Sequence, residues 1–167
     1  MVVVKMRAPS FPDTQAGVPV TTNSQVRYWS LCTNEPISTG VARCTPDNLA
    51  PNSDGFVTFV ISDPSQRPPD SVLSQWGASW IPWGALTPGE FVYDINQNVL
   101  TNADGVFYNN ALFYRQTMAN PTFTQSINNV SQLPLRQRRA AMGDYWPVTG
   151  YCTSAAFQAL GAGCIGQ

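Results

Sequence analysis

Histidine is absent from this chain and lysine occurs once, at Lys5. The first absence excludes a Ser-His-Asp or Cys-His nucleophile system, an imidazole general base and any zinc site that uses histidine. The second leaves Lys5 as the one residue able to serve as a Schiff-base or phosphate-cradling lysine. Charge is also scarce. Charged side chains make up 11% of the sequence, less than half of the ~25% usual in globular domains. Nine basic residues against ten acidic give a net charge of −1, so there is no clustered excess of Lys and Arg to meet a phosphate backbone, and no nucleic-acid partner is expected. No apolar run approaches the ~20 residues of a membrane helix, and no transmembrane segment is expected. Met1 to Arg7 is too short and wrongly flanked for a signal peptide. It reads as an edge strand that begins at once, as in a chain cut from a longer precursor.

What is present is apolar and turn-rich. Hydrophobic residues reach 43% and aromatics 11%, with 14 prolines and 12 glycines spread along 167 residues. One domain with a sizeable core and many short elements follows. Polarity comes mainly from Ser, Thr, Asn and Gln, which solvate strands without cross-strand repulsion. The four cysteines fall as two equally spaced pairs, Cys32 with Cys44 and Cys152 with Cys164. Local pairing is favoured among the three connectivities, because each bond then closes a short loop worth roughly 3 kcal/mol on the chain-entropy argument. The short Cys-x₂₋₄-Cys knuckles of a zinc site are missing. An oxidising compartment is expected: extracellular, cell-surface or periplasmic.

Along the chain, residues 1–25 read as the N-terminal edge strand followed by an extended connection through Pro9, Pro12, Gly17 and Pro19. Val26 to Cys32 alternates as a half-buried strand does, and Phe56 to Ile61 is the clearest β signal, entered by Asp54-Gly55 and ended by Asp63-Pro64. Val41 to Cys44 is a short strand inside the first cysteine loop. Glu90 to Asp94 and Gly105 to Tyr108 read as hairpin arms, and Ala111 to Met118 as another strand. Thr122 to Val130 offers a short helix. Thr153 to Leu160 is a better one, capped by Thr153 or Ser154 and stopped by Gly161. The expected architecture is mainly β: a disulfide-stapled antiparallel β-sandwich with its core over residues 26–118, a hairpin inserted at about 85–110, and a helical C-terminal appendix over residues 119–167.

Four segments in this order resemble a known group. Val26 to Cys32, Asp54-Gly55-Phe56 running into Ile61 to Pro64, Trp80-Ile81-Pro82-Trp83-Gly84, and Leu112 to Gln116 look like uncharacterised secreted bacterial proteins. More distantly, the chain is similar to the jelly-roll domain of unknown function 1214. The resemblance covers roughly residues 20–118 and implies a jelly-roll-like fold. It implies no catalytic residue, because that family has no established chemistry to carry over. The chain departs from the group between Gly84 and Ala111.

The candidate sites are few. Trp76, Trp80 and Trp83, with Tyr93 and Tyr108, offer an aromatic surface on which a sugar or another apolar-faced ligand stacks at little entropic cost; the plain alternative is that these rings plug the end of the sandwich. The odd spacing of Trp80 and Trp83 turns their rings to opposite sides of a strand. Asp94, Asn96 and Asn98, with Asp104 downstream, supply hard oxygens at alternate positions, as a calcium loop does. Val99 stands where that loop needs glycine, which favours an ordinary Asn-rich tip. Glu35 and Glu90 are the acids least explained by turns, and they are the pair a carboxylate-dependent glycosidase would use. Arg136, Arg138 and Arg139 form the only basic cluster, read as a solvated helix face in preference to a dibasic processing site or a contact for an acidic partner. Asn129-Val130-Ser131 has the form of a glycosylation acceptor.

No metal or organic cofactor is expected. The leading functional expectation is a non-catalytic extracellular binding or assembly module, with copies of itself, a neighbouring domain or a carbohydrate-like ligand as partner. Two alternatives stand beside it: a carboxylate-dependent hydrolase of a polysaccharide-type substrate, and an accessory domain that supports a catalytic one.

Overall fold

The computed structural model describes residues 1–20, 23–34, 41–45, 51–83 and 111–166. In chain order the described strands are β1 (Val2–Arg7), β2 (Tyr28–Asn34), β3 (Val41–Cys44), β4 (Phe56–Ser62), β5 (Ala78–Pro82), β6 (Ala111–Thr117) and β7 (Val148–Tyr151). The helices are α1 (Asp70–Gln75), α2 (Ile127–Val130), α3 (Leu135–Met142) and α4 (Ser154–Leu160). The strands form a four-stranded sheet in the order β5-β4-β1-β7 and a three-stranded sheet in the order β3-β2-β6.

The four-stranded sheet is covered on both faces, and its sequence says why. On one face Val4, Met6, Val57, Phe59 and Ile61 meet Trp29 and Leu31 of the smaller sheet, closing a sandwich core. On the other, Val3 and Val60 pack against Val72 and Leu73 of α1, Phe157 of α4 and the Cys152–Cys164 pair. Strands buried on both sides read as continuous apolar runs rather than alternating ones, as Val2-Val3-Val4 and Phe56 to Ile61 do. Each fully buried side chain here, Phe59 and Phe157 among them, contributes about 1.5–3 kcal/mol of transfer free energy.

Three features differ from the sequence reading. First, β1 is not an edge strand. It lies between β4 and β7, pairing Val2 with Ile61 on one side and with Tyr151 on the other. Lys5 and Arg7 are half-buried, and both cations lie over the Phe56 ring. Second, the sheet is not wholly antiparallel. β4 and β5 run parallel, Val60 opposite Trp80, which requires a crossover; Asp63, Pro64 and the short helix α1 supply it. Third, residues 119–167 are more than an appendix, because β7 completes the large sheet and α4 seals its outer face.

Other expectations agree with the structure. Both local disulfides are formed, Cys32 to Cys44 and Cys152 to Cys164. β3 spans Val41–Cys44. Thr153 caps α4 by accepting from the Ala156 N–H, and Gly161 ends it at a φ of 54°. The helix expected over Thr122 to Val130 shrinks to α2, capped by Ser126. Among the described residues no helix is long and apolar enough to cross a membrane.

Candidate binding site

The three candidate tryptophans lie at the β5 edge and are half-buried. Trp76 follows α1; its ring packs so closely on Gly161 that a Cβ there would lie 2.5 Å from Trp76 Cδ2. Its Nε1–H donates to the Gln158 carbonyl at 3.2 Å. Trp80 Nε1–H donates to Ser62 Oγ at 3.0 Å, and the Arg67 guanidinium lies 5.2 Å from its ring centre. Trp76 and Trp80 pack on the helical side of the large sheet, whereas Trp83 packs on the sandwich side. The opposite facing expected from their spacing is therefore seen, and the three rings do not form one continuous face. Tyr93, Tyr108, the oxygen-rich series Asp94, Asn96, Asn98 and Asp104, and the acids Glu35 and Glu90 lie outside the described residues, as does the hairpin at 85–110.

The described carboxylates have local tasks. Asp13 Oδ1 accepts from the Ala16 N–H, and Asp54 Oδ1 from the Phe56 N–H. Asp70 pairs with Arg67, and Asp144 with Arg7 at 3.5 Å. Asp63 caps the turn after β4; the Ser65 hydroxyl, then the Ser65 N–H, hold its carboxyl below the usual aspartate value. A general acid needs the opposite displacement. Among the described residues no group of three or more Cys, Asp or Glu is placed to hold a metal ion.

The surface with the shape of a site lies at the other end of the molecule, where β2 begins and β6 ends. Two grooves meet at Arg27. One, of about 380 Å³, is lined by Phe11, Pro12, Asp13, Gln15, Tyr28 and Thr117 among others. The second, of about 390 Å³, runs between Val20, Ser24 and Val26 on one side and Met118 to Pro121 on the other. Both volumes fall at the small end of the ~300–1,000 Å³ range of ligand pockets. Tyr28 is 36% exposed, Val20 50% and Met118 68%.

Backbone bonds fix this floor in place. Arg27 N–H donates to the Thr117 carbonyl, Val26 N–H to Ser10, and Asn120 N–H to Gln25. Ser10 and Gln25 exchange a reciprocal pair of bonds at 2.9 and 3.0 Å, and the Gln25 amide reaches the Tyr145 hydroxyl at 2.6 Å. Phe11 holds the Tyr28 ring edge-on, their centres 6.2 Å apart. Met118, among the described residues the only non-glycine with positive φ, at 48°, turns the chain out of β6. Its sulfur lies 3.7 Å from Arg27 Nη1. Among the described residues Arg27 has no carboxylate within ion-pair distance.

Sequence reading missed this site because its parts come from three distant segments, and none carries a motif. The one available signal was the run Phe11-Pro12-Asp13, an aromatic and an acid inside a proline-punctuated connection. The basic cluster on α3 is partly used internally: Arg138 donates to the Leu133 and Ser131 carbonyls. Asn129 Nδ2–H of the glycosylation triplet donates to the Phe123 carbonyl at 2.9 Å. Comparison with known proteins finds no match for this chain among protein families, curated proteins or solved structures.

Proposed function

We propose that this chain is a non-catalytic binding or assembly module working in an oxidising compartment outside the cytoplasm, and that its ligand contacts centre on Arg27. The observation that carries the reading is the pair of grooves meeting at that guanidinium, on a floor held by backbone hydrogen bonds. Such a floor is ordered before a ligand arrives, which lowers the entropic cost of binding. Arginine, methionine and tyrosine, brought together here, are residue types enriched where proteins bind their partners. The bonded indole N–H groups of Trp76 and Trp80 support binding at this end over binding at the β5 edge. Two formed disulfides support the compartment. The likeness to secreted bacterial proteins and to the jelly-roll domain of unknown function 1214 is part of the same proposal.

The test is retention on immobilised ligands of different chemistry (neutral oligosaccharides, acidic oligosaccharides, peptides and lipid vesicles), comparing the native chain with the Arg27→Ala, Tyr28→Ala double variant. Retention by one class, lost in the double variant, supports the reading. Retention that survives the double variant, or measurable turnover of a retained polymer, contradicts it.

A further inference from the structure

Resting on that reading and narrowing it, we infer that the groove beside Tyr28 is a subsite for one ring of a neutral oligosaccharide, with Arg27 passing the chain into the second groove. The argument begins with charge. The first groove holds one carboxylate, Asp13, and one guanidinium, Arg27. An anionic polymer attracted to Arg27 would meet Asp13, and an apolar ligand would dehydrate both charges without replacing their hydrogen bonds. A polyhydroxylated ring carries donors and acceptors together and satisfies both. Asp13 Oδ1 accepts from the Ala16 N–H, which orients a carboxylate that lines the groove and can accept from a ligand hydroxyl. The guanidinium is a planar, multi-donor group suited to a pair of neighbouring oxygens. Thr14 and Thr117 are further polar residues of the lining.

Shape points the same way. Tyr28 is a flat aromatic set by Phe11 and more than a third exposed, the element on which the C–H face of a sugar ring packs. Pro12 to Gln15 also line the groove, in a turn held by the bond from Val18 N–H to the Asp13 carbonyl. Arg27 lines both grooves, so they adjoin at its side chain. That arrangement fits linked rings better than a single monosaccharide. The second groove, with Val20, Met118 and Pro121 at its rim, offers apolar contact for the next ring.

The experiment is a ¹⁵N–¹H correlation titration of the full, disulfide-intact chain with cellotetraose, maltotetraose and chitotetraose in turn, with a tetragalacturonate and an acidic tetrapeptide as contrasts. Saturable shifts at the Arg27 Nε–H and at the Tyr28 and Thr117 amides with at least one neutral sugar are expected. Tyr28→Ala should then weaken binding about tenfold, Tyr28→Trp should restore it, and Trp80→Phe should change it by less than about twofold. Shifts at Arg27 only with the tetragalacturonate or the peptide overturn the neutral-sugar inference and leave the Arg27-centred reading standing. If no probe moves the Arg27 and Tyr28 signals, both fall.

Discussion

The two aromatic regions of this molecule use their rings in opposite ways. At the β5 edge, Trp76 and Trp80 turn their indole N–H groups toward the protein, onto the Gln158 carbonyl and Ser62 Oγ, and pack on the helical layer. At the opposite end, Tyr28 and Met118 remain open to solvent on a floor that backbone hydrogen bonds already fix. Aromatic density alone therefore does not locate a binding surface. What distinguishes the two is that the Trp76 and Trp80 indoles are half-buried with their N–H groups bonded to the fold, whereas Tyr28 keeps more than a third of its surface exposed at the edge of a groove.

That contrast can be broken in order of expected effect. Trp76→Ala should be the most damaging, at about 3 kcal/mol, the low end for a large aromatic because Trp76 is half-buried against the core rather than within it; urea unfolding with an unchanged slope checks it. A cost under about 0.5 kcal/mol would mean that Trp76 is not an anchor. Removing Cys152 and Cys164 together should cost roughly 3 kcal/mol, and so should removing Cys32 and Cys44, since the loops are of equal length. The two removals should differ in coupling. The C-terminal bond holds the turn after α4, where Gly161 receives Trp76, so its loss should be non-additive with Trp76→Ala. The Cys32–Cys44 loss should add simply.

A smaller effect appears at high pH. Burial holds the Tyr114 phenol above the ordinary tyrosine value; the Gln116 amide bonded to its oxygen opposes this, and Tyr145 reinforces it. The folded chain thus binds this proton more tightly than the unfolded chain. Its contribution is complete below the ordinary phenol value of ~10 and is lost as pH rises past it. Thermal melts should show stability falling above that pH, and Tyr114→Phe should flatten the fall. The smallest expected effect is that of Arg27→Ala on folding, within about ±0.5 kcal/mol, because among the described residues the guanidinium has no ion-pair partner. A loss of several kcal/mol would make Arg27 a structural residue and remove it from the site.

Local chemistry made part of this architecture legible in the sequence. The cysteine spacing announced both disulfides, Thr153 and Gly161 marked the ends of α4, and the odd step from Trp80 to Trp83 announced their opposite facing. Long-range geometry was not legible. Nothing near β1 signals that β7, almost the whole chain away, will cover its second edge. Nothing in α1, only six residues long, signals a parallel crossover. The Arg27 surface was invisible for the same reason: Phe11, Arg27 and Met118 meet only after β2 and β6 have paired, Tyr28 opposite Thr117.

The most direct test of the contrast is a single titration read at both regions at once, using whichever saccharide binds. Indole N–H signals of Trp76 and Trp80 and the side-chain Nε–H of Arg27 are resolved in one ¹⁵N–¹H spectrum. The account predicts that the Arg27 signal and the Tyr28 and Thr117 amides move to saturation while the Trp76 and Trp80 indole signals stay in place. Saturable movement of those two indole signals, with Arg27 unmoved, would contradict it and return the ligand to the tryptophan edge.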